Sequence, residues 1–438
     1  MSKIIVIGGG AAGMMAAIMA AKQHHDVILL EKNEKLGKKI YITGKGRCNI
    51  TNSSDIEVIF QNVVTNRKFL YSSLYSFTNE DTIRFFEENG LKTKVERGNR
   101  VFPVSDHSSD VILTLDHCMR KLGVDIRLNN EVKEILVDSN RTFKGVKLSN
   151  GSKLTADACI IATGGLSYPT TGSTGDGYRF AKDLGHNITP RNPSLVSIHL
   201  VEYEATMLQG LSLKNIEVKV TVKNLKQQSV SSIETTKKKK NKLKIGKEIY
   251  SAFGEMLFTH FGVSGPVILS GTSMLLPYIN DCEMELHIDL KPALTHEQLD
   301  ARILRDFEEI KNKQFKNSLE HLLPQKLIGL IIQLSGIPED KQVNAITKEE
   351  RYRLAEVMKN LTFTIARFGG FNEAVITKGG IDVKEIDPTT MESKLAKGVY
   401  FAGEVLDLDA LTGGYNLQIA WSTGAAAGQH VCEIVTNN

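Results

Sequence analysis

The first 31 residues constrain the fold more than any other part of the chain. Lys3-Ile4-Ile5-Val6-Ile7 is an apolar run, Gly8-Gly9-Gly10-Ala11-Ala12-Gly13 follows it, and Met14 to Ala21 are alanine, methionine and isoleucine only. A second apolar run, Val27-Ile28-Leu29-Leu30, ends on Glu31, 18 residues past the last glycine. G-x-G-x-x-G between a buried strand and a helix, closed by an acid-tipped second strand, is the signature of a dinucleotide-binding βαβ unit. In that unit Gly8 permits the tight turn, Gly10 lets the backbone approach a pyrophosphate, and Gly13 lets helix and strand pack closely. The helix N-terminus offers N–H groups to the phosphates. Glu31 is placed to accept hydrogen bonds from ribose hydroxyls, and its charge disfavours a 2′-phosphate.

A chain of 438 residues is long enough for two or three domains. With 41% hydrophobic and 24% charged residues it has the composition of a globular protein. Residues 3–21 are apolar enough to suggest a signal peptide, but the glycine turn and the second strand explain them better. No apolar stretch is long enough to span a bilayer, so no membrane partner is expected and the cytoplasm is the expected compartment. Cys48, Cys118, Cys159, Cys282 and Cys432 form no C-x-x-C pair, which argues against a disulfide framework and against a metal site. The net charge of +4 is local in origin. Lys237, Lys238, Lys239, Lys240, Lys242, Lys244 and Lys247 lie within eleven residues, and without them 47 basic residues face 50 acidic ones.

Along the chain, residues 1–190 alternate strand and helix. The segment Ala158-Cys159-Ile160-Ile161-Ala162 reads as a short buried strand ending at Thr163-Gly164-Gly165. Residues 191–290 are β-rich, with strands expected at Leu195–Val201, Ile216–Val222, Val230–Ile233 and Glu255–Thr259, as in an antiparallel sheet or small barrel. The lysine cluster falls between two of these strands and reads as a long hairpin loop. Residues 291–360 turn helical, and 361–438 return to strand, turn and helix. The expected fold class is α/β: a Rossmann-type FAD-binding domain of the two-part flavoprotein kind, its halves 1–190 and 361–438, interrupted by an antiparallel β-rich domain and a small helical subdomain.

The fingerprint alone does not separate NAD from FAD. A glycine-lysine turn at Gly37 follows Glu31, an apolar strand ends in Ala162-Thr163-Gly164-Gly165, and Phe401-Ala402-Gly403-Glu404 joins a strand to an acid. All three favour FAD. The string Thr43-Gly44-Lys45-Gly46-Arg47-Cys48-Asn49-Ile50-Thr51-Asn52 is more specific still. Taken with Gly98-Asn99-Arg100-Val101-Phe102-Pro103, with Phe258 to Pro266, and with Gly403-Glu404 followed by Gly413-Gly414-Tyr415-Asn416, it resembles the BaiN/RdsA (YhiN-like) family of bacterial flavoproteins. The match runs in order from residue 1 to about residue 432. The resemblance implies FAD and the interrupted Rossmann architecture. It also implies one of several activities: NAD(P)H-linked reduction of conjugated ketones, amine oxidation, or reduction of uridine in ribosomal RNA.

Each candidate residue has a second, plainer reading. Arg47 and the turn Gly44–Gly46 are placed to stabilise negative charge near N1 and C2=O of a reduced flavin or to hold an anionic substrate; otherwise Arg47 is a solvated surface arginine. Cys48 has no redox partner at the required spacing, leaving a general-acid role or simple packing. His260, between Thr259 and Phe261, either faces the substrate or packs among aromatics. Val132 either contacts the adenine through its backbone or is a core valine. Gly413, Gly414 and Asn416 open a helix whose N–H groups suit the flavin pyrimidine, with Leu417 beside them, and Glu404 is placed to accept a ribityl hydroxyl. Ala11, Ala12, Lys32, Lys39, Thr43, Asn49, Ala162, Thr163, Gly164, Gly165 and Gly403 complete the expected cofactor contacts.

The best-supported function at this stage is an FAD-dependent oxidoreductase moving hydride between flavin N5 and an organic substrate. Only one dinucleotide fingerprint is present, so there is no second Rossmann unit for a resident nicotinamide; NAD(P)H as a transient electron donor is what the family resemblance implies. The alternatives are an RNA-base substrate gripped by the lysine cluster, an amine oxidase, and a flavin-bearing binding protein with little turnover.

Overall fold

The computed structural model describes residues 1–226 and 243–432. The chain divides into two compact units, Met1–Ser194 with Gly370–Asn438, and Leu195–Gly369.

The first unit is built on a five-stranded, fully parallel sheet. Its spatial order is Val399–Phe401, Ala158–Ile161, Lys3–Ile7 (β1), Asp26–Leu30 (β2), Asp125–Arg127. Parallel strands covered on both faces need continuous apolar runs, which is why Ile4–Ile7, Val27–Leu30 and Ala158–Ile161 contain no polar position except the small Cys159. The helix Ala11–Lys22 (α1) is apolar on every side and buried on every side. Its small residues admit a second helix, Tyr415–His430, at close range: a Cβ on Gly424 would strike the Ala12 carbonyl, and one on Gly428 the Ala16 carbonyl. Two small sheets flank this core, Val132–Val137 with Phe143–Leu148 and Lys153–Thr155, and Thr51–Asn52 with Arg100–Pro103 and Thr93–Glu96.

The second unit contains the antiparallel barrel. Its closed order is Ile198–Leu200, Gly262–Ser264, Glu248–Thr259, Ser212–Leu225, Cys282–Asp289, Leu361–Phe368. Inward positions alternate with outward ones, as in Val218, Val220 and Val222, all buried. The helices His296–Glu309, Gln325–Ser335 and Lys348–Lys359 lie in this same unit, two of them opened by capping boxes at Thr295/Gln298 and Thr347/Glu350.

Three sequence boundaries shift. Leu361–Phe368 was expected in the nucleotide-binding part, but it is a barrel strand bonded to Cys282–Asp289 and Ile198–Leu200. Asn192–Ser194 was expected in the β-rich part, but it pairs with Ile376–Lys378 inside the first unit. The expected strand Leu195–Val201 is only Ile198–Leu200. The expected strand Val230–Ile233, with Lys237, Lys238, Lys239, Lys240 and Lys242, lies outside the described residues. Lys244 and Lys247 lie just before Glu248–Thr259, where Lys247 N donates to Lys244 O at 3.0 Å. Glu248–Thr259 and Ser212–Leu225, which bracket that segment, pair antiparallel. Among the described residues, no helix is long and apolar enough to cross a membrane.

Candidate cofactor site

The three fingerprint glycines have three different causes. Gly8 sits at φ +106°, and a Cβ there would lie 2.6 Å from the Ala162 carbonyl oxygen. A Cβ on Gly13 would collide with the Gly8 carbonyl. Packing of the chain on itself therefore demands both. Gly10 differs: its backbone is extended (φ −87°, ψ −170°), and a Cβ there would meet nothing within 4 Å. It is the N-cap of α1, and no side chain caps that end. Open space in front of an uncapped helix N-terminus fits a pyrophosphate; nothing in the protein itself asks for glycine at that point. Ala11 is half-buried there, and Ala12 is buried against Gly403 and Gly424.

Glu31 ends β2 and is 7% exposed. Its Oε2 accepts from Gly9 N at 2.7 Å, and its Oε1 accepts from Asn33 N (2.8 Å) and Asn33 Nδ2 (2.7 Å). The carboxylate therefore also holds the glycine turn in shape, a role the sequence did not suggest. Lys32 Nζ reaches Asp176 (2.6 Å) and Asn33 Nδ2 reaches Thr171 O (3.1 Å), tying the end of β2 to the loop after Gly165. Asn130 N donates to Glu31 O at 2.9 Å, which brings Val132 near the same end; Val132 is buried and pairs with Leu148. Where the strand Ala158–Ile161 ends, Thr163 Oγ1 is buried without a hydrogen-bond partner among the described residues. That hydroxyl faces Gly177, beside the Val405 and Ile161 side chains, and it is the Thr163 backbone that lies against the Gly8 turn.

Glu404 follows the strand Val399–Phe401. Its Oε2 accepts from Lys39 Nζ at 2.6 Å and its Oε1 from Thr377 N at 2.8 Å. Gly165 is forced small by Thr377 and Glu404, and Gly403 N donates to Thr423 Oγ1 at 3.0 Å. Gly164 stands at φ +71°, beside Ser173 Oγ.

The string from Thr43 to Asn52 is a clamp, and this corrects several expectations. The Arg47 guanidinium lies over the Phe102 ring at 4.3 Å, donates to Asp106 at 2.8 Å, and is paired with Glu96. Its charge is spent on two carboxylates, so it does not supply an uncompensated cation to a flavin or an anionic substrate. The Arg47 hydrogen bond holds the Glu96 carboxyl below its usual range, and Lys94, 2.7 Å away, together with Arg47 does the same for Asp106. Cys48 is fully buried at φ +58°, and burial pushes its thiol up to about 12. With no face open to a substrate, Cys48 takes the plainer of its two readings, packing.

The remaining residues of the string fasten the helix Tyr415–His430. Thr43 Oγ1 donates to Ile40 O at 2.7 Å, and Gly44 is exposed at φ +57°. With its amide oriented to suit its neighbours, Asn49 accepts from Gly414 N (2.9 Å) and donates to Thr51 O (2.9 Å). Asn52 Nδ2 donates to Gly413 O and Gly98 O, both at 3.0 Å. Thr51 Oγ1 meets Gln418 Oε1 at 2.6 Å, and Trp421 Nε1 donates to Ile50 O at 2.9 Å. Gly414 stands at φ +96°, with the Thr51 carbonyl where a Cβ would be. No side chain caps this helix either. The Asn416 side chain is doubly bonded to the Ala410 backbone (2.9 and 2.8 Å), so it shapes the preceding loop and offers a ligand only its main chain. Leu417 packs on the core.

His260 belongs to the second unit, on the connection between Glu248–Thr259 and Gly262–Ser264. It is exposed, edge-on to Phe261 at 4.6 Å. The sequence reading missed Asn33, Asn52, Thr377 and Gln418. Of these only Asn52 carried a signal, as the last letter of the string.

Comparison with known proteins agrees with this fold. The profile of the HI0933-like protein Rossmann domain matches residues 2–430. The chain is 30% identical over 409 residues to a 3-dehydro-bile acid delta(4,6)-reductase of Clostridium scindens, covering 93% of each chain. It is 32% identical to a ribosomal RNA dihydrouridine synthase of Haemophilus influenzae, covering 91% of each. Among solved structures, a 3-ketosteroid delta1-dehydrogenase from Sterolibacterium denitrificans shares the fold (TM-score 0.52, 14% identity, covering 98% of this chain and 99% of the other).

Proposed function

This chain belongs to the HI0933-like family, and on that premise we propose that it reduces a carbon–carbon double bond conjugated to a carbonyl, with NAD(P)H as donor. The coarser statement, an FAD-dependent oxidoreductase, follows from the family and its reductase relative. The finer one is carried by a single observation: two relatives of nearly equal identity are named for different substrates, yet for one kind of bond. A delta(4,6)-reductase saturates a carbon–carbon double bond, and making dihydrouridine saturates C5=C6 of uracil, which is conjugated to the C4 carbonyl. Both reactions add a hydride and a proton across a polarised alkene.

Bound FAD supplies the hydride chemistry at N5. The chain's own residues bind and orient it. The open backbone at Gly10 and the α1 N-terminus receive the pyrophosphate. Glu31 serves the ribose while holding the turn. Glu404, fixed by Lys39 and Thr377, serves the ribityl chain. The Gly413–Gly414 corner presents the N-terminus of the helix Tyr415–His430 to the pyrimidine edge, where N–H dipoles stabilise negative charge. Arg47 acts at one remove, by keeping the string Asn49–Asn52 in place.

Anaerobic mixing tests this. NADPH is expected to bleach the flavin, and an enone such as a 3-oxo-Δ4 steroid is expected to restore its colour with loss of the alkene. A flavin that NADPH reduces but that passes electrons only to O2, with an amine as the better reductant, would contradict the reading. The second reading is RNA uridine as the alkene, favoured by the seven clustered lysines and by the synthase relative. An unchanged dihydrouridine map of ribosomal RNA in cells lacking the protein would remove it.

A further inference from the structure

A cavity of about 460 Å³ opens on the first unit, and none of the cofactor residues described above lines it. Its apolar floor includes Phe69 and Ile386; around them stand Arg67, Lys68, Lys384 and Lys394. Among the described residues, its lining holds no carboxylate. All four cations are exposed. Of the neighbouring acids, Glu385 is turned to His186 and Asn187 and Glu392 to Gly398 N, whereas Asp387, bonded to the Thr389 and Thr390 N–H groups, also feels Lys394, and Asp407 Oδ2 accepts from the lining residue Asn66 at 3.2 Å. The rim is also preformed. Asn66 bonds Asp407 O at 2.8 Å, Arg67 Nη2 bonds Gln61 O at 3.1 Å, and Lys394 Nζ bonds Lys384 O at 3.0 Å.

The helix Tyr71–Ser76 follows the lining residue Phe69 closely in the chain and carries two open aromatic rings, one of which, Tyr75, donates its hydroxyl to Glu57 Oε1 at 3.4 Å. Phe60, next to Gln61, lies 4.6 Å from the Tyr71 ring. Tyr71 and Tyr75 are near-parallel (8°), with centroids 6.4 Å apart, and they are 48% and 54% exposed. Cations that track phosphates beside open aromatic faces that take bases are the two parts of a single-strand binding surface.

We propose that this face binds single-stranded RNA, with phosphates among Arg67, Lys68, Lys384 and Lys394 and bases against Tyr71 and Tyr75. The proposal rests on the RNA reading of the preceding section and moves the grip from the lysine cluster alone to a built surface on the Rossmann unit.

The test uses the full-length flavin-loaded protein and a fluorescein-labelled 12-residue oligouridylate, read by anisotropy across a NaCl series. The triple variant Lys68→Gln/Lys384→Gln/Lys394→Gln is expected to bind at least tenfold more weakly and to flatten the log–log salt slope by about 2, at about 0.7 per lost single-strand phosphate contact. Tyr71→Ala/Tyr75→Ala is expected to lose about tenfold with the slope unchanged. Parental binding by both variants overturns the proposal, as does loss confined to a variant with Lys237–Lys240 and Lys242 changed to glutamine. Uridine monophosphate binding as tightly as the 12-mer also overturns it, in favour of a mononucleotide pocket. Flavin absorbance separates the two readings. A yellow chain whose oligouridylate binding ignores these residues sinks this surface alone. A colourless chain that binds as described sinks the flavoenzyme and leaves the surface standing.

Discussion

At Gly10 a methyl group would meet open space, and at Gly13 it would strike a carbonyl. This difference turns a motif into an experiment. Gly13→Ala is expected to destabilise the fold by about 1–3 kcal/mol, because neither helix nor turn can yield. Gly10→Ala is expected to lower the melting temperature of the cofactor-free protein only slightly, through the poorer alanine N-cap, while weakening FAD binding about tenfold or more, since its methyl group meets no protein atom and intrudes only on a ligand. Equilibrium titration of both variants with FAD, beside their thermal melts, checks the pair. Cys48 supplies a second residue-scale test. With its thiol raised to about 12 by burial, iodoacetamide at pH 8.5 is expected to leave it unmodified in native protein and to label it after unfolding, by peptide mass spectrometry. Native labelling would return Cys48 to the site.

Among the elements, the helix Tyr415–His430 depends on partners far away in the chain. Gln418 is fully buried, and it joins Thr51 and Thr82 to Ser422 and the Phe77 carbonyl. Gln418→Leu strands those groups, and a loss of about 1–3 kcal/mol is expected in urea unfolding, together with weaker FAD binding as Gly413 and Gly414 shift. The Arg47 cluster adds a pH signature. Glu96 and Asp106 have lowered carboxyl ranges in the fold. The stability they lend is therefore fully present above the ordinary carboxylate range, about pH 4, and is lost as pH falls through the folded values. The melting-temperature deficit of Arg47→Met is accordingly expected at pH 7 and to shrink below about pH 4; a deficit constant across that range would contradict the ion-pair account. The string Thr43–Asn52 could be recognised by its spelling, but its use could not be read. Arg47 meets a carboxylate 49 residues on, and Thr51 a glutamine 367 residues on. Neither spacing nor periodicity carries such pairings, so the string's part as a clamp was hidden.

For the molecule as a whole, the sequence was most legible where one physical need governs a whole stretch. The buried parallel strands demanded unbroken apolar runs, and β1, β2 and Ala158–Ile161 stood out. The barrel boundary was harder. Leu361–Phe368 alternates inward Leu361, Phe363 and Ile365 with outward Thr362 and Thr364, a clear strand pattern in isolation. It follows a helical stretch and precedes the glycines 369 and 370, which drew it toward the wrong domain. The central claim is that a flavin adenine dinucleotide lies on the α1 N-terminus, across the Gly8–Gly13 turn. The most direct test is to add excess FAD to purified protein, remove the free cofactor by gel filtration, and record the visible spectrum with the flavin-to-chain ratio. The account expects a yellow protein with one flavin per chain, and a sharply lower ratio in Gly10→Ala. A colourless protein after reconstitution, or Gly10→Ala retaining a full complement, would contradict it.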